Sequence, residues 1–237
     1  MALPAPGCFM WWLAALRCAC CHCCSPVARR PSLLAQEPLG LQPLRLLRRV
    51  PQAWQCMLLS GLVSGSFFGL APVYASQQGL SVRAVGLFMA LYMTAGLLGQ
   101  WPLGRLSDRF PRQQLILGCA VLLALACLSL LATPVSLGVL LGCGSVIGLL
   151  QFALYPLALG LANEVLASNE RVSLSAGMLL TFGLGSTLGP LCAGLARSLL
   201  GSAGLYLFTA LCAVLLTGLL LRGNSRRRSA SSINVYE

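Results

Sequence analysis

Long apolar stretches constrain this chain more than any other feature of its sequence. Each has about 20 mainly apolar residues, the length that an α-helix needs to cross a bilayer. A spanning segment must satisfy its own backbone hydrogen bonds, and stretches of this length do so as helices. The sequence therefore predicts an all-α integral membrane protein with six transmembrane helices, at about 54–76, 82–103, 114–132, 135–162, 172–196 and 202–221.

Composition agrees with a membrane protein and provides little material for catalysis. Only 9% of the residues are charged, against about 25% in a soluble domain. The chain has one histidine, His22, no lysine and five scattered carboxylates, so no nucleophile–base pair or carboxylate pair can be assembled. We therefore predict that the protein is not an enzyme and uses no cofactor.

The net charge of +11 comes entirely from arginine. The arginines fall in short clusters between apolar stretches, whereas a nucleic-acid partner would require them on one accessible face. With the amino end in the cytoplasm, only Arg83 and Arg197 of the connections face outward. Because basic residues concentrate in cytoplasmic loops, we predict that both termini are cytoplasmic. We also favour the plasma membrane over an internal membrane.

The predicted domains are a mostly flexible tail at 1–53, a six-span membrane domain at 54–222 and a basic cytoplasmic tail at 223–237. The first tail is rich in cysteine around "CACCHCC", and three interpretations stay open. These are a zinc site with His22, reversible palmitoylation and no function at all. Zinc is the least favoured because adjacent ligands close a tetrahedron poorly, and we favour no function. The cysteines are Cys8, Cys18, Cys20, Cys21, Cys23 and Cys24.

Glycines and polar residues within the apolar stretches predict how the helices pack. Gly61, Gly65 and Gly69 lie four residues apart, as do Gly185 and Gly189, a spacing that lets a second backbone approach closely. Polar side chains in a span either line a wet cavity or bond between helices, and both alternatives stay open for Ser64, Ser66, Tyr74, Gln151 and Tyr155. Glu164 is either a solvated carboxylate or a proton or charge-pair site.

One connection carries a recognisable motif. The residues from Gly104 to Arg112 read GRLSDRFPR, which resembles the signature G-x-L-[S/A]-D-R-x-G-R of the major facilitator superfamily. The stretches SGLVSGSFFGLAPVY, ALYPLALGLANE and GSTLGP are similar to the carboxyl-terminal half of YcaD-type bacterial members, over about residues 55–221. Pro111 departs from the usual glycine of the motif.

The resemblance implies a bundle equivalent to one six-helix half of a twelve-span transporter. It implies that the first and fourth helices face a central cavity, which makes the five polar residues above candidate cavity-lining residues. It also implies that Gly104, Asp108, Arg109 and Arg112 form a conformational latch, with the arginines as cationic partners of Asp108. The helix that this latch holds would belong to the other half.

The function implied is transport of an unidentified small solute by alternating access. The implied partners are the lipid bilayer, the solute, and either a partner six-span half or a second copy of the chain. Two alternatives remain: a non-transporting membrane assembly or regulatory protein, and a truncated product of a twelve-span transporter.

Overall fold

The computed structural model describes residues 49–132, 136–165 and 170–233 of the chain. Within these segments the regular structure is helical, without a strand, which confirms the all-α prediction. A 3₁₀ turn at Gly201–Ala203 joins the last two long helices. The long helices are α1 (Pro51–Gln77), α2 (Val82–Ser107), α3 (Arg112–Ala132), α4 (Leu137–Asn163), α5 (Arg171–Leu200) and α6 (Gly204–Ile233).

Local sequence signals set several helix ends. Pro51 occupies the first turn of α1, where its missing N–H removes no helical hydrogen bond. Ser81 precedes α2 and its hydroxyl accepts from the Ala84 N–H at 3.4 Å, while Ser136 caps α4 in the same way through Val139 at 3.3 Å. Gly201 ends α5 with a φ of +70°, a conformation that favours glycine.

Five segments of the described chain are long and apolar enough to cross a membrane. Four of them are α1 to α4, and the fifth is a continuous segment of 53 residues, Arg171–Gly223, that contains α5, the 3₁₀ turn and most of α6. This count differs from the predicted six because the 3₁₀ turn at Gly201–Ala203 continues the helical segment from α5 into α6. No polar loop divides the two stretches.

The helices pack mainly in pairs, with α1 against α5, α2 against α4, and α3 against both α4 and α6. Large buried side chains between them include Phe67, Phe88, Tyr92 and Tyr206, all fully shielded from solvent. By contrast, α2 presents Leu97, Leu98 and Trp101 outward, each more than 60% exposed. The bundle thus has an internal core and an apolar exterior.

The glycine spacing on α1 produces a close helix pair, as predicted. A Cβ atom on Gly61 or Gly65 would collide with the backbone carbonyls of Phe182 and Ser186 on α5. Conversely, a Cβ on Gly185 or Gly189 would collide with carbonyls of α1. The two backbones therefore approach as closely as small residues permit.

Candidate functional site

Three polar side chains form a hydrogen-bonded chain that connects three helices of the bundle. Gln151 on α4 is only 1% exposed. Its Nε2 donates to Ser64 Oγ on α1 at 2.9 Å, and its Oε1 accepts from the Tyr92 hydroxyl on α2 at 2.8 Å. We call these residues the polar triad, and they join α1, α2 and α4.

Aromatic rings surround the polar triad and keep it in apolar surroundings. Phe67 stacks on the Tyr92 ring with centroids 4.5 Å apart, and Phe68 and Phe152 meet that ring edge-on at 5.6 Å. A side chain at Gly148 would collide with the Tyr92 backbone, so this glycine lets α2 approach α4. In such a setting an unpaired amide is costly, and the amide of Gln151 is paired at both ends.

The structure brings together two of the five predicted cavity residues, Ser64 and Gln151. Ser66 is fully buried and its hydroxyl donates to the Val63 carbonyl of its own helix at 2.9 Å. Tyr74 is 5% exposed and meets the Tyr206 ring edge-on at 4.7 Å. In this conformation neither Ser66 nor Tyr74 lines an open surface.

Tyr155 is half-buried against Phe182 of α5, with ring centroids 5.1 Å apart. Ser64 is likewise partly exposed. These two side chains are the members of the predicted set that reach the surface of the bundle, and a cavity-lining role for the set stays a prediction.

Tyr92, the third member of the triad, is not among the candidate site residues predicted from the sequence. Tyr92 lies within a long apolar stretch and does not stand out by composition. Its spacing from neighbouring residues, however, indicates that it lies on the buried face of α2. Phe88, Tyr92, Gly96 and Gly99 recur every three or four residues and are the residues that α2 buries. A tyrosine on the buried face of a spanning helix needs a partner for its hydroxyl.

The motif connection is shorter than the sequence suggests, because Gly104 to Ser107 belong to α2. The Ser107 hydroxyl donates to the Gly104 carbonyl at 2.7 Å. Asp108 follows as the residue that ends the helix, and its N–H donates to the Arg105 carbonyl at 3.3 Å. Arg105 itself lies over the Trp101 ring, 4.0 Å from the centroid.

Arg112 pairs with Glu164 instead of Asp108. The distance between Arg112 Nη1 and Glu164 Oε1 is 3.5 Å. Arg112 begins α3 and its guanidinium lies over Gly160 of α4, where a Cβ would crowd it at 2.7 Å. Among the residues that the structure describes, Asp108 forms no ion pair, so its expected pairing with Arg109 or Arg112 is not observed.

A second ion pair lies outside the motif and was not predicted. Arg49 Nη1, just before α1, is 3.3 Å from Glu170 Oε1, just before α5. It joins the entry points of the two helices that share the glycine contact. The cysteine-rich tail with His22, and with it both the zinc and the palmitoylation hypotheses, lies outside the described residues.

The chain is similar to known proteins of a single family. A sequence model described as Major Facilitator Superfamily matches residues 7–234. An MFS-type transporter of Enterobacter sp. (strain 638), Ent638_1421, is 33% identical over 154 residues, which are 65% of this chain and 39% of that protein.

The MFS-type transporters YcaD of Escherichia coli O139:H28 (strain E24377A / ETEC) and of Salmonella paratyphi B (strain ATCC BAA-1250 / SPB7) are each 35% identical over 133 residues. Those residues are 56% of this chain and 34% of each relative. The matched part of the chain thus spans between a third and two fifths of the curated relatives' length.

Proposed function

Since this chain belongs to the major facilitator superfamily, we propose that its membrane bundle transports a small solute by alternating access. The observation that carries the proposal is the polar triad. It places a paired amide and two hydroxyls between α1, α2 and α4, and polar groups at such depth in a membrane bundle commonly mark a solute or ion pathway. By family resemblance, α1 and α4 are the helices that face the transport cavity.

We further propose that α5 and α6 cross the membrane separately, which gives six spans. A straight helix of 53 residues would be about 80 Å long, more than twice the hydrocarbon thickness of about 30 Å. α5 and α6 pack against each other, and Gly201 with its positive φ marks the reversal between them. The membrane domain is then 54–222, followed by a basic tail at 223–237.

The same proposal sets the orientation. One end of the bundle carries Arg49, Arg171 and the arginines of the motif connection, which all lie beside helix ends. Arg83 and Arg197 lie at the opposite end. Because basic residues favour the cytoplasmic side, the motif end and both termini are cytoplasmic. We favour the plasma membrane as the location.

The bundle is proposed to act with a second six-span half, which a longer chain, a second copy or a separate protein would provide. Gly104 supports this role for the motif end. A Cβ there would meet nothing within 4 Å among the described residues, so a partner helix has room to approach Gly104 closely.

In this arrangement Gly104, Asp108 and Arg109 act as the conformational latch, and Arg112 holds the latch end through Glu164. Asp108 has no ion pair with a described residue, which leaves its carboxylate available for the amino end of a partner helix. Loss of that contact would shift the balance between two transporter states.

The second candidate is a membrane assembly or regulatory protein that keeps the fold without transporting. The hydrogen bonds that Gln151 makes at both its amide nitrogen and its amide oxygen favour this candidate, because the triad then serves only to join helices. Mass spectrometry of solutes in cells that express the chain distinguishes the two functions. If the chain transports, at least one solute differs in level between cells that express the wild type and vector-only cells. In cells that express Gln151→Leu at equal membrane abundance, that solute should return to the vector-only level. An assembly role predicts no such difference.

A further inference from the structure

A cavity of about 410 Å³ opens at the arginine-bearing end of the bundle, apart from the polar triad. It lies between the start of α1, the end of α4 and the part of α6 near Gly223. Its charged and polar side chains are those of Arg49, Arg222, Gln52, Gln55 and Glu164, and Val50, Pro51, Leu161, Val165 and Leu219 are among its apolar ones. Its volume is in the range of small-molecule sites.

Gln52 is the unexplained group in this cavity. Both Nε2 and Oε1 of its amide are buried and have no hydrogen-bond partner among the described residues. The amide lies over Gly223, where any side chain would collide with it. Burying an unpaired amide is unfavourable, so Gln52 would gain hydrogen bonds if its side chain rotated towards a ligand in the cavity.

The charges of the cavity favour an anion. Two guanidiniums and one carboxylate line the cavity. Glu164 already pairs with Arg112 at 3.5 Å and Arg49 with Glu170 at 3.3 Å, and both of these partners lie outside the lining. Arg222 is exposed and forms no ion pair with a described residue. The first turn of α1 adds N–H groups that have no acceptor within the helix, and its dipole is positive at this end.

We propose that this cavity binds a phosphate group. Arg222 and Arg49 would donate charge-assisted hydrogen bonds to the phosphate oxygens, and the Gln52 amide would donate a further one. The apolar wall beside them suits the glycerol and first methylenes of an anionic phospholipid. Basic pockets between spanning helices are typical places for such headgroups, and a soluble phosphate compound would use the same donors.

The experiment uses the full chain purified in mild detergent, with three variants. Arg222→Gln removes the unpaired guanidinium, and Gln52→Leu removes the buried amide. Arg171→Gln is the matched control, because Arg171 is exposed at the same end of the bundle but does not line the cavity. Native mass spectrometry counts bound dioleoyl phosphatidylglycerol and phosphatidylcholine, and a thermal-shift series tests inorganic phosphate against chloride.

For a lipid ligand, the wild type and Arg171→Gln retain phosphatidylglycerol in preference to phosphatidylcholine, and Arg222→Gln binds it about tenfold more weakly. For a soluble ligand, inorganic phosphate raises the melting temperature of the wild type and Arg171→Gln but not of Arg222→Gln. In either case Gln52→Leu binds the ligand more weakly than the wild type does. Without ligand, Gln52→Leu has a higher melting temperature than the wild type. The proposal is overturned if neither phosphatidylglycerol nor inorganic phosphate distinguishes Arg222→Gln from Arg171→Gln.

Discussion

Arg112 Nη1 lies 3.5 Å from Glu164 Oε1, and this pair joins the first residue of α3 to the residue that ends α4. Arg112 is the last residue of the motif, and Glu164 is the carboxylate for which the sequence leaves open a solvated role or a role as a proton or charge-pair site. The structure shows the pair, with the two side chains 30% and 53% exposed. Such exposure weakens the attraction through solvent screening.

We therefore expect Glu164→Gln to lower the free energy of unfolding by less than about 1 kcal/mol. The measurement is equilibrium unfolding in mild detergent, at low and at high salt. Glu170→Gln is the matched comparison, since it breaks the similarly exposed pair with Arg49. A loss of several kcal/mol, or one insensitive to salt, would show that Glu164 carries a buried structural role instead.

Gly65→Ala should separate α1 from α5. The added methyl group would overlap the Ser186 carbonyl, and overpacking of this kind costs about 1–3 kcal/mol. Gly183→Ala on α5 is the control, because its new Cβ would meet nothing within 4 Å among the described residues. That control should be neutral or slightly stabilising, since alanine favours a helix over glycine. Equal melting temperatures for the two variants would contradict the close contact.

Tyr92→Phe should destabilise the bundle through the polar triad. The ring keeps its stacking on Phe67, but Gln151 Oε1 loses its donor. The expected loss in unfolding free energy is about 0.6–2 kcal/mol. Tyr155→Phe, whose ring packs on Phe182, should have a smaller effect because no hydrogen bond from its hydroxyl is observed among the described residues. A double-mutant cycle with Gln151→Leu should give a non-zero coupling energy for Tyr92 and none for Tyr155.

The all-helical fold was predictable because the length and hydropathy of an apolar stretch are enough to identify a spanning helix. The contact between Gly61 and Gly185 was partly predictable, since four-residue glycine spacing shows which face of a helix is small but not which helix packs against it. The Arg112–Glu164 pair was not, because it depends on how far α4 extends and on the space above Gly160. Tyr92 escaped for a related reason: its partner lies 59 positions away in sequence.

Topology can be tested by thiol labelling in a cysteine-free background. With the motif end in the cytoplasm, Gln78→Cys between α1 and α2 should react with an impermeant reagent on intact cells. Ser229→Cys should react only after permeabilisation. The opposite pattern would reverse the proposed orientation and place the motif on the outer side.

Transport itself is tested most directly by comparing Asp108→Asn with the wild type. The substitution keeps the size of the side chain and removes the charge that is proposed to latch the two halves. Arg83→Gln at the opposite end, an exposed residue outside the proposed machinery, is the control. Intracellular solutes are profiled by mass spectrometry in cells with equal surface levels of each protein.

We expect at least one small solute whose level differs between wild-type and vector-only cells. That difference should fall by about fivefold or more in Asp108→Asn, the size that a loss of about 1 kcal/mol in the latch would produce, and should persist in Arg83→Gln. Identical solute profiles for the wild type and the vector-only cells would contradict transport by this chain. A solute difference that Asp108→Asn leaves unchanged would contradict the latch.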